Sequence, residues 1–175
     1  ISKTTENIKE LKVLMVSDIH LGYLINKNVL KMYVDRIMEQ KPDIILIPGD
    51  IIDQHLEPLI KEKIDYELKR LKAPYGVFAT TGNHEYREDV AKNVEWLEKE
   101  AGITVLRDSV VKIADSFYII GREDDKDENR DSLSSILQKY EVNKSLPMIV
   151  LNHEPHNLAE EAENGIDVAL YGHTH

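Results

Sequence analysis

No cysteine occurs among the 175 residues, so disulfides, thiolate metal sites and cysteine nucleophiles are excluded together, and the redox compartment stays open. Basic residues are the minority: 22 Lys and Arg stand against 32 Asp and Glu, a formal charge of −10. That balance argues against a nucleic-acid module working by broad phosphate neutralisation. It leaves anionic substrates open wherever metal supplies the positive charge. No apolar run approaches the roughly 18–20 residues needed to span a bilayer, so the segment reads as soluble. Position 1 is Ile rather than Met, and no basic stretch leads into an apolar one. The chain is therefore expected to be a processed or excised piece, any N-terminal signal or anchor having been removed.

What is present is ordinary globular composition, 42% hydrophobic. The length suits one domain, 1–175, burying roughly 68–70% of the surface its unfolded chain exposes. Short β-branched runs alternate with stretches of helical period. Val13–Val16, Ile44–Ile47, Val77–Ala79, Met148–Leu151 and Val168–Leu170 read as strands, the first of them buried on both faces. Helical stripes run through Leu30, Val34, Ile37 and Met38; Ile60, Ile64, Leu68 and Leu71; Val90, Val94, Leu97 and Ala101; and Leu133, Ile136, Leu137 and Tyr140 behind an Asp131/Ser132 cap. Pro155 suits the first turn of a short helix through Ala162. Val110–Ile113 and Phe117–Ile120 form a predicted hairpin. Residues Arg122–Asp131, nearly all charged or amide, read as a solvated loop, with a loop overlooking a site as the alternative. Strand–helix alternation implies βαβ units, mostly parallel pairing and an α/β class.

Ligands of open parallel sheets bind beyond the carboxyl ends of the strands. Ser17-Asp18-Ile19-His20 follows the first run, Gly49-Asp50-Ile51-Ile52-Asp53 the second and Gly82-Asn83-His84-Glu85 the third. Asn152-His153-Glu154-Pro155 and Gly172-His173-Thr174-His175 follow the last two. Five of the seven histidines fall in these clusters; His55 and His156 do not. Taken singly, each cluster is ordinary turn or cap chemistry. Recurrence at every strand end of one sheet is not. Carboxylates and imidazoles gathered without a basic partner are costly to bury, and a cation is the economical partner. Carboxylate, imidazole and amide oxygen without thiolate suit Mn, Fe or Zn better than Mg or Ca. Seven candidate ligands (Asp18, His20, Asp50, Asn83, His153, His173 and His175) exceed one four-coordinate site. A carboxylate bridging two ions roughly 3.5–4 Å apart accommodates them. The glycines before Asp50, Asn83 and His173 fit places where backbone turns sharply.

Asp18-x-His20, Gly49-Asp50-x-x-Asp53, Gly82-Asn83-His84-Glu85, His153 and Gly172-His173-x-His175, in this order and spacing, resemble the calcineurin-like metallophosphoesterase superfamily. The Leu-x-His-Glu-Pro and Gly-Asp-Ile-Ile-Asp wording is most similar to bacterial phosphohydrolases whose catalytic domain often follows a membrane anchor. The resemblance implies a four-layer αββα sandwich with a mostly parallel first sheet. It also implies further C-terminal strands of the second sheet, which this chain lacks, so that apolar surface on the Val168–Tyr171 strand is expected to be exposed.

The resemblance further implies that Asp18, His20 and His175 hold one metal, that Asn83, His153 and His173 hold the other, and that Asp50 bridges them. His84 would lie beside the scissile phosphate, and Asp53 would hydrogen-bond it, fixing its tautomer and favouring its charged form. Glu85 is given no chemistry beyond stabilising the turn. Purple acid phosphatases carry a Tyr ligand where this chain has Asp53, so no tyrosinate-to-iron colour is expected. The implied activity is hydrolysis of phosphomonoesters or phosphodiesters by in-line attack of a metal-bridging hydroxide, with two divalent or mixed-valence ions. His84 would assist the leaving group. The substrate would be a small-molecule or lipid-like phosphoester, its leaving group met by loops such as Tyr23–Lys27, His55–Pro58 and Arg122–Asp131. The rivals are a non-catalytic scaffold of the same fold, which intact ligands argue against, and a nuclease of the same superfamily, which the charge argues against.

Overall fold

The computed structural model describes residues 3–5, 7–22 and 25–174. The first sheet is all parallel, in the order β1 (Val13–Met15), β2 (Ile44–Pro48), β3 (Val77–Thr80), β4 (Thr104–Val105). Its crossovers are α1 (Lys27–Glu39), then α2 (Leu56–Lys61) with α3 (Asp65–Leu68), then α4 (Val90–Lys99). The second sheet runs β5 (Ser109–Ile113), β6 (Phe117–Gly121), β7 (Met148–Leu151), β8 (Val168–Leu170), antiparallel in its hairpin and parallel thereafter. Helices α5 (Leu133–Lys139) and α6 (Leu158–Glu163) connect the parallel strands. Local chemistry sets the helix starts: Asn26, Asp89 and Ser132 each accept an N–H from the first turn of α1, α4 and α5.

The period-2 alternation of the strands builds the layers. Ile45 and Ile47 of β2 pack with Leu30, Val34, Leu59, Leu68 and Trp96 of the helices. Ile44 and Leu46, on the opposite face, meet Ile119, Ile149 and Leu151 of the second sheet. The outer residues of that sheet, Tyr118, Ile120, Met148 and Val150, pack on Leu133, Ile136 and Leu137 of α5. Three apolar interfaces therefore separate four layers, α/β/β/α, as the family resemblance implied.

Several details depart from expectation. The strand ends that carry the motifs belong to two facing sheets rather than one. β1 is not buried on both faces: Val13 and Met15, 37% and 41% exposed, lie on the face that Ile44 and Leu46 of the paired strand turn toward the second sheet. Val168–Leu170 on β8 are half-buried. The stripe from Ile60 to Leu71 is two short helices, because α2 closes with Lys63 in the left-handed region (φ +53°) and with Ile64 N–H donating back to Leu59. The helix expected from Pro155 starts at Leu158, after Asn157 at φ +54°. The two-residue β4 is too short to leave a periodic signal.

The acidic loop is not wholly solvated: Arg122, Glu123 and Asp124 are buried. Arg122 pairs with Glu160, and Glu123 with Arg107 and Thr81. These partners offset the cost of removing charge from water.

Candidate metal centre

β2 and β3 end side by side, and the residues that follow them turn toward the ends of β7 and β8. Asp18, His20, Asp50 and His173 all have left-handed backbone, with φ of +54°, +49°, +53° and +68°. Non-glycine residues seldom sit there, and such strain gathers at functional sites. Gly49 has φ +81°, and a Cβ on it would lie 2.6 Å from His153 Nδ1. Gly82 has no such φ and is needed for approach: its Cβ would lie 2.7 Å from the Asp50 amide nitrogen.

Asp50 is the hub. It is 2% exposed, its Oδ1 accepts the His84 backbone N–H at 2.9 Å, and its Oδ2 lies 3.2 Å from His153 Nε2. The same Oδ2 is 3.8 Å from His20 Nε2 and 3.9 Å from His84 Nε2. Two sets of ligand atoms, His20/Asp50/His84 and Asp50/His153/His173, each gather within 4.8 Å and share Asp50. Asn83 Oδ1 stands 3.2 Å from both His153 Nε2 and His173 Nδ1. Asp18 Oδ1 accepts the His173 N–H at 2.9 Å and lies 4.0 Å from His20 Nε2. The structure thus brings together Asp18, His20, Asp50, Asn83, His153 and His173. His175 lies outside the described residues.

His153 is oriented from below: its Nδ1 donates to the Pro48 carbonyl at 2.8 Å, which aims Nε2 at Asp50. Burial disfavours the imidazolium, yet the Asp50 carboxylate and the Pro48 carbonyl outweigh it and lift His153 to about 9. For Asp50, burial pushes upward but His153 and the His84 N–H prevail and hold the carboxyl below its usual range. A cation held by His153 Nε2 and Asp50 would compete with the proton that this pairing favours. The donor set fits such an ion: carboxylate, imidazole and amide oxygen converge from both sheets.

His84 is held differently from the other imidazoles. Its Nδ1 lies 2.9 Å from both Asp53 Oδ1 and the Asp53 carbonyl, and its ring meets that of His20 edge-on at 4.3 Å. Arg87 Nη1 stands 3.5 Å from the same Asp53 oxygen. His55 and His156, outside the motifs, pair with Glu88 (2.5 Å) and with Asp125 and Glu154 (3.0 and 3.1 Å).

Glu85 stabilises the turn, as expected from the sequence, and reaches a second turn as well. Its carboxylate, 1% exposed, accepts the N–H groups of Gly82, Asp50 and Ile52 at 2.8, 3.0 and 2.9 Å, tying the β2 and β3 turns together. Burial, with Asp50 beside it, pushes its carboxyl up to about 7 against those donors. Its place next to Asn83-His84 was the one available signal.

The family model for calcineurin-like phosphoesterases matches residues 11–175. The chain belongs to that family, whose chemistry is metal-dependent phosphoester hydrolysis. A protein of Aquifex aeolicus described as an uncharacterized metallophosphoesterase is 35% identical over 171 residues, 95% of this chain and 63% of that one. A Danio rerio protein, named a transmembrane protein with metallophosphoesterase domain, is 28% identical over 198 residues, all of this chain and 42% of that one. The chain thus spans less than two thirds of these relatives. A solved crystal structure superposes with a TM-score of 0.62 over 93% of this chain and 83% of the other, at 15% identity, a likeness of fold. Among the described residues, no helix is long and apolar enough to cross a membrane.

Proposed function

We propose that the chain is a phosphohydrolase that uses two metal ions held around Asp50. The observation that carries this reading is one buried carboxylate, Asp50, whose Oδ2 lies 3.8 Å from His20 Nε2 and 3.2 Å from His153 Nε2, beside an imidazole, His84, held by its own carboxylate. Asp18 and His20, with His175, would hold the first ion and Asn83, His153 and His173 the second, with Asp50 shared between them. Mn, Fe or Zn suits these donors. When bound, the ions supply positive charge for the phosphoryl oxygens and a water acidified into a nucleophile.

The chain's own residues do the rest. Glu85 and Pro48 hold Asp50 and His153 in place. Asp53 accepts a hydrogen bond from His84 Nδ1–H, leaving Nε2 to face the centre and the phosphoester. From there His84 passes a proton to, or stabilises, the departing alkoxide, a contribution of roughly 10²–10⁴-fold. His84 is accordingly not a ligand in this reading, although its Nε2 lies within reach of the first group.

Substrates are small-molecule or lipid-like mono- or diesters, and the 175 residues act as one catalytic domain. Metal-loaded chain is tested on an aryl phosphodiester, a monoester and an oligonucleotide, with elemental analysis of the purified protein. Hydrolysis that follows metal content supports the reading. Two bound ions with no turnover would favour the scaffold, and preference for the oligonucleotide the nuclease.

A further inference from the structure

A cavity of about 710 Å³ opens beside His84. Among the described residues it is lined by Asp18, His20, Asp53 and His84 together with Val16, Ser17, Ile19, Ile25 and Tyr33. The lining thus joins groups that would meet a phosphoester and its leaving oxygen to aliphatic side chains of the β1 turn, Ile25 and an aromatic side chain on α1. Tyr33 is 42% exposed, so its ring is open to an incoming group.

The charge pattern narrows the occupant. No Lys or Arg lines the cavity among the described residues, while Asp18 and Asp53 do. The guanidinium of Arg87 stands against Asp53. A leaving group bearing further phosphates or carboxylates would find no Lys or Arg in that lining to pair with, and Asp53, which is not a proposed metal ligand, beside it. An uncharged apolar group would instead displace water from Val16, Ile25 and Tyr33.

We infer that this groove receives the leaving alcohol of the substrate, and that the alcohol is uncharged and apolar, with Tyr33 as the residue that sets this preference. The inference rests on the phosphohydrolase reading, because His84 marks the groove as the leaving-group side only if it attends the departing oxygen. It deepens that reading by naming the substrate class: esters of an aromatic or aliphatic alcohol rather than nucleoside polyphosphates or sugar polyphosphates.

The test separates binding from turnover by using phosphonates, which present the phosphoryl group but cannot lose the carbon substituent by ester hydrolysis. Methyl-, phenyl- and octylphosphonate are titrated calorimetrically into the metal-loaded chain and into Tyr33→Ala. The substitution is on the exposed side of a helix and introduces the best helix former, so folding is preserved. Phenyl- or octylphosphonate is expected to bind about tenfold tighter than methylphosphonate, equivalent to about 1.4 kcal/mol. Tyr33→Ala should remove most of that advantage and leave methylphosphonate affinity unchanged. Whether the ring or the chain gains more tells an aryl from an alkyl alcohol. Equal affinity for all three phosphonates, or an advantage that survives Tyr33→Ala, would overturn the inference. Failure of the metal-loaded chain to hydrolyse any phosphoester, with the phosphonate preference intact, would sink the parent reading and with it the assignment to a leaving alcohol, while the groove's preference for apolar groups stood.

Discussion

Glu85 accepts the backbone N–H of Asp50 at 3.0 Å, so the bridging candidate is held by a buried carboxylate thirty-five residues away in the chain. The same carboxylate holds Gly82, the residue before Asn83. Two ligand turns therefore depend on one side chain that touches neither proposed ion. Glu85→Gln keeps the size but offers one acceptor oxygen in place of two. Metal affinity is expected to fall about 10–100-fold, as for other residues that orient ligands. Metal titration of the folded variant checks this; unchanged affinity at both sites would make Glu85 a packing residue only.

His84→Asn should lower turnover by about two orders of magnitude or more while leaving metal content near normal. The ring is secured through Nδ1 by Asp53 and through its backbone by Asp50, and neither tie requires an ion. Elemental analysis decides: loss of one equivalent of metal would make His84 a ligand.

Asp53→Asn should cost less than His84→Asn, about tenfold, because the Asp53 carbonyl also faces Nδ1 at 2.9 Å and the ring keeps one acceptor. Turnover equal to that of the unsubstituted chain would assign Asp53 to the Arg87 contact alone.

Asp50→Ala is expected to be the most damaging ligand change. It removes the group common to both sets and leaves the His153 cation buried without its carboxylate. Stoichiometric binding of one ion at ordinary affinity would place the bridge elsewhere.

The His153–Asp50 pair predicts how the chelated chain responds to pH. A folded-state value of about 9 lies above the ordinary 6.5, so the imidazolium stabilises the fold fully below about 6.5 and ceases to as pH rises through 9. Thermal melts in chelator should show stability declining across that window, and His153→Gln should flatten the decline. Metal affinity should rise over the same window, since the ion no longer competes with that proton. A flat profile in the unsubstituted chain would remove the pair from the account.

The candidate ligands could be picked out because each follows an apolar run of unmistakable strand character, and fold class followed from the alternation of those runs with helical stripes. What period-2 patterning does not state is which sheet a strand joins. Met148–Leu151 and Ile44–Ile47 look alike, yet they face each other across the middle of the molecule. The break at Lys63 was hidden because a lysine in the left-handed region carries no glycine to announce it. The burial of Arg122–Asp124 was hidden because composition shows charge but not partners: Glu160 and Arg107 are distant in sequence and adjacent in space. Glu85 was legible as a turn stabiliser, while the reach of its carboxylate to a second turn, at Asp50 and Ile52, was not, since no motif records the backbone groups it serves.

Asp50 and Asn83 follow strands of one sheet, and His153 and His173 follow strands of the other. An ion coordinated by all four would act as a rivet through two stacked plates. By mass action, a ligand present at a thousand times its dissociation constant adds about 4 kcal/mol to the unfolding free energy. Removing it would leave both plates intact and loosen the seam between them. In hydrogen exchange, the first amides to gain exposure should be those at the strand ends around Pro48, Thr80 and Leu151, well before the strand interiors.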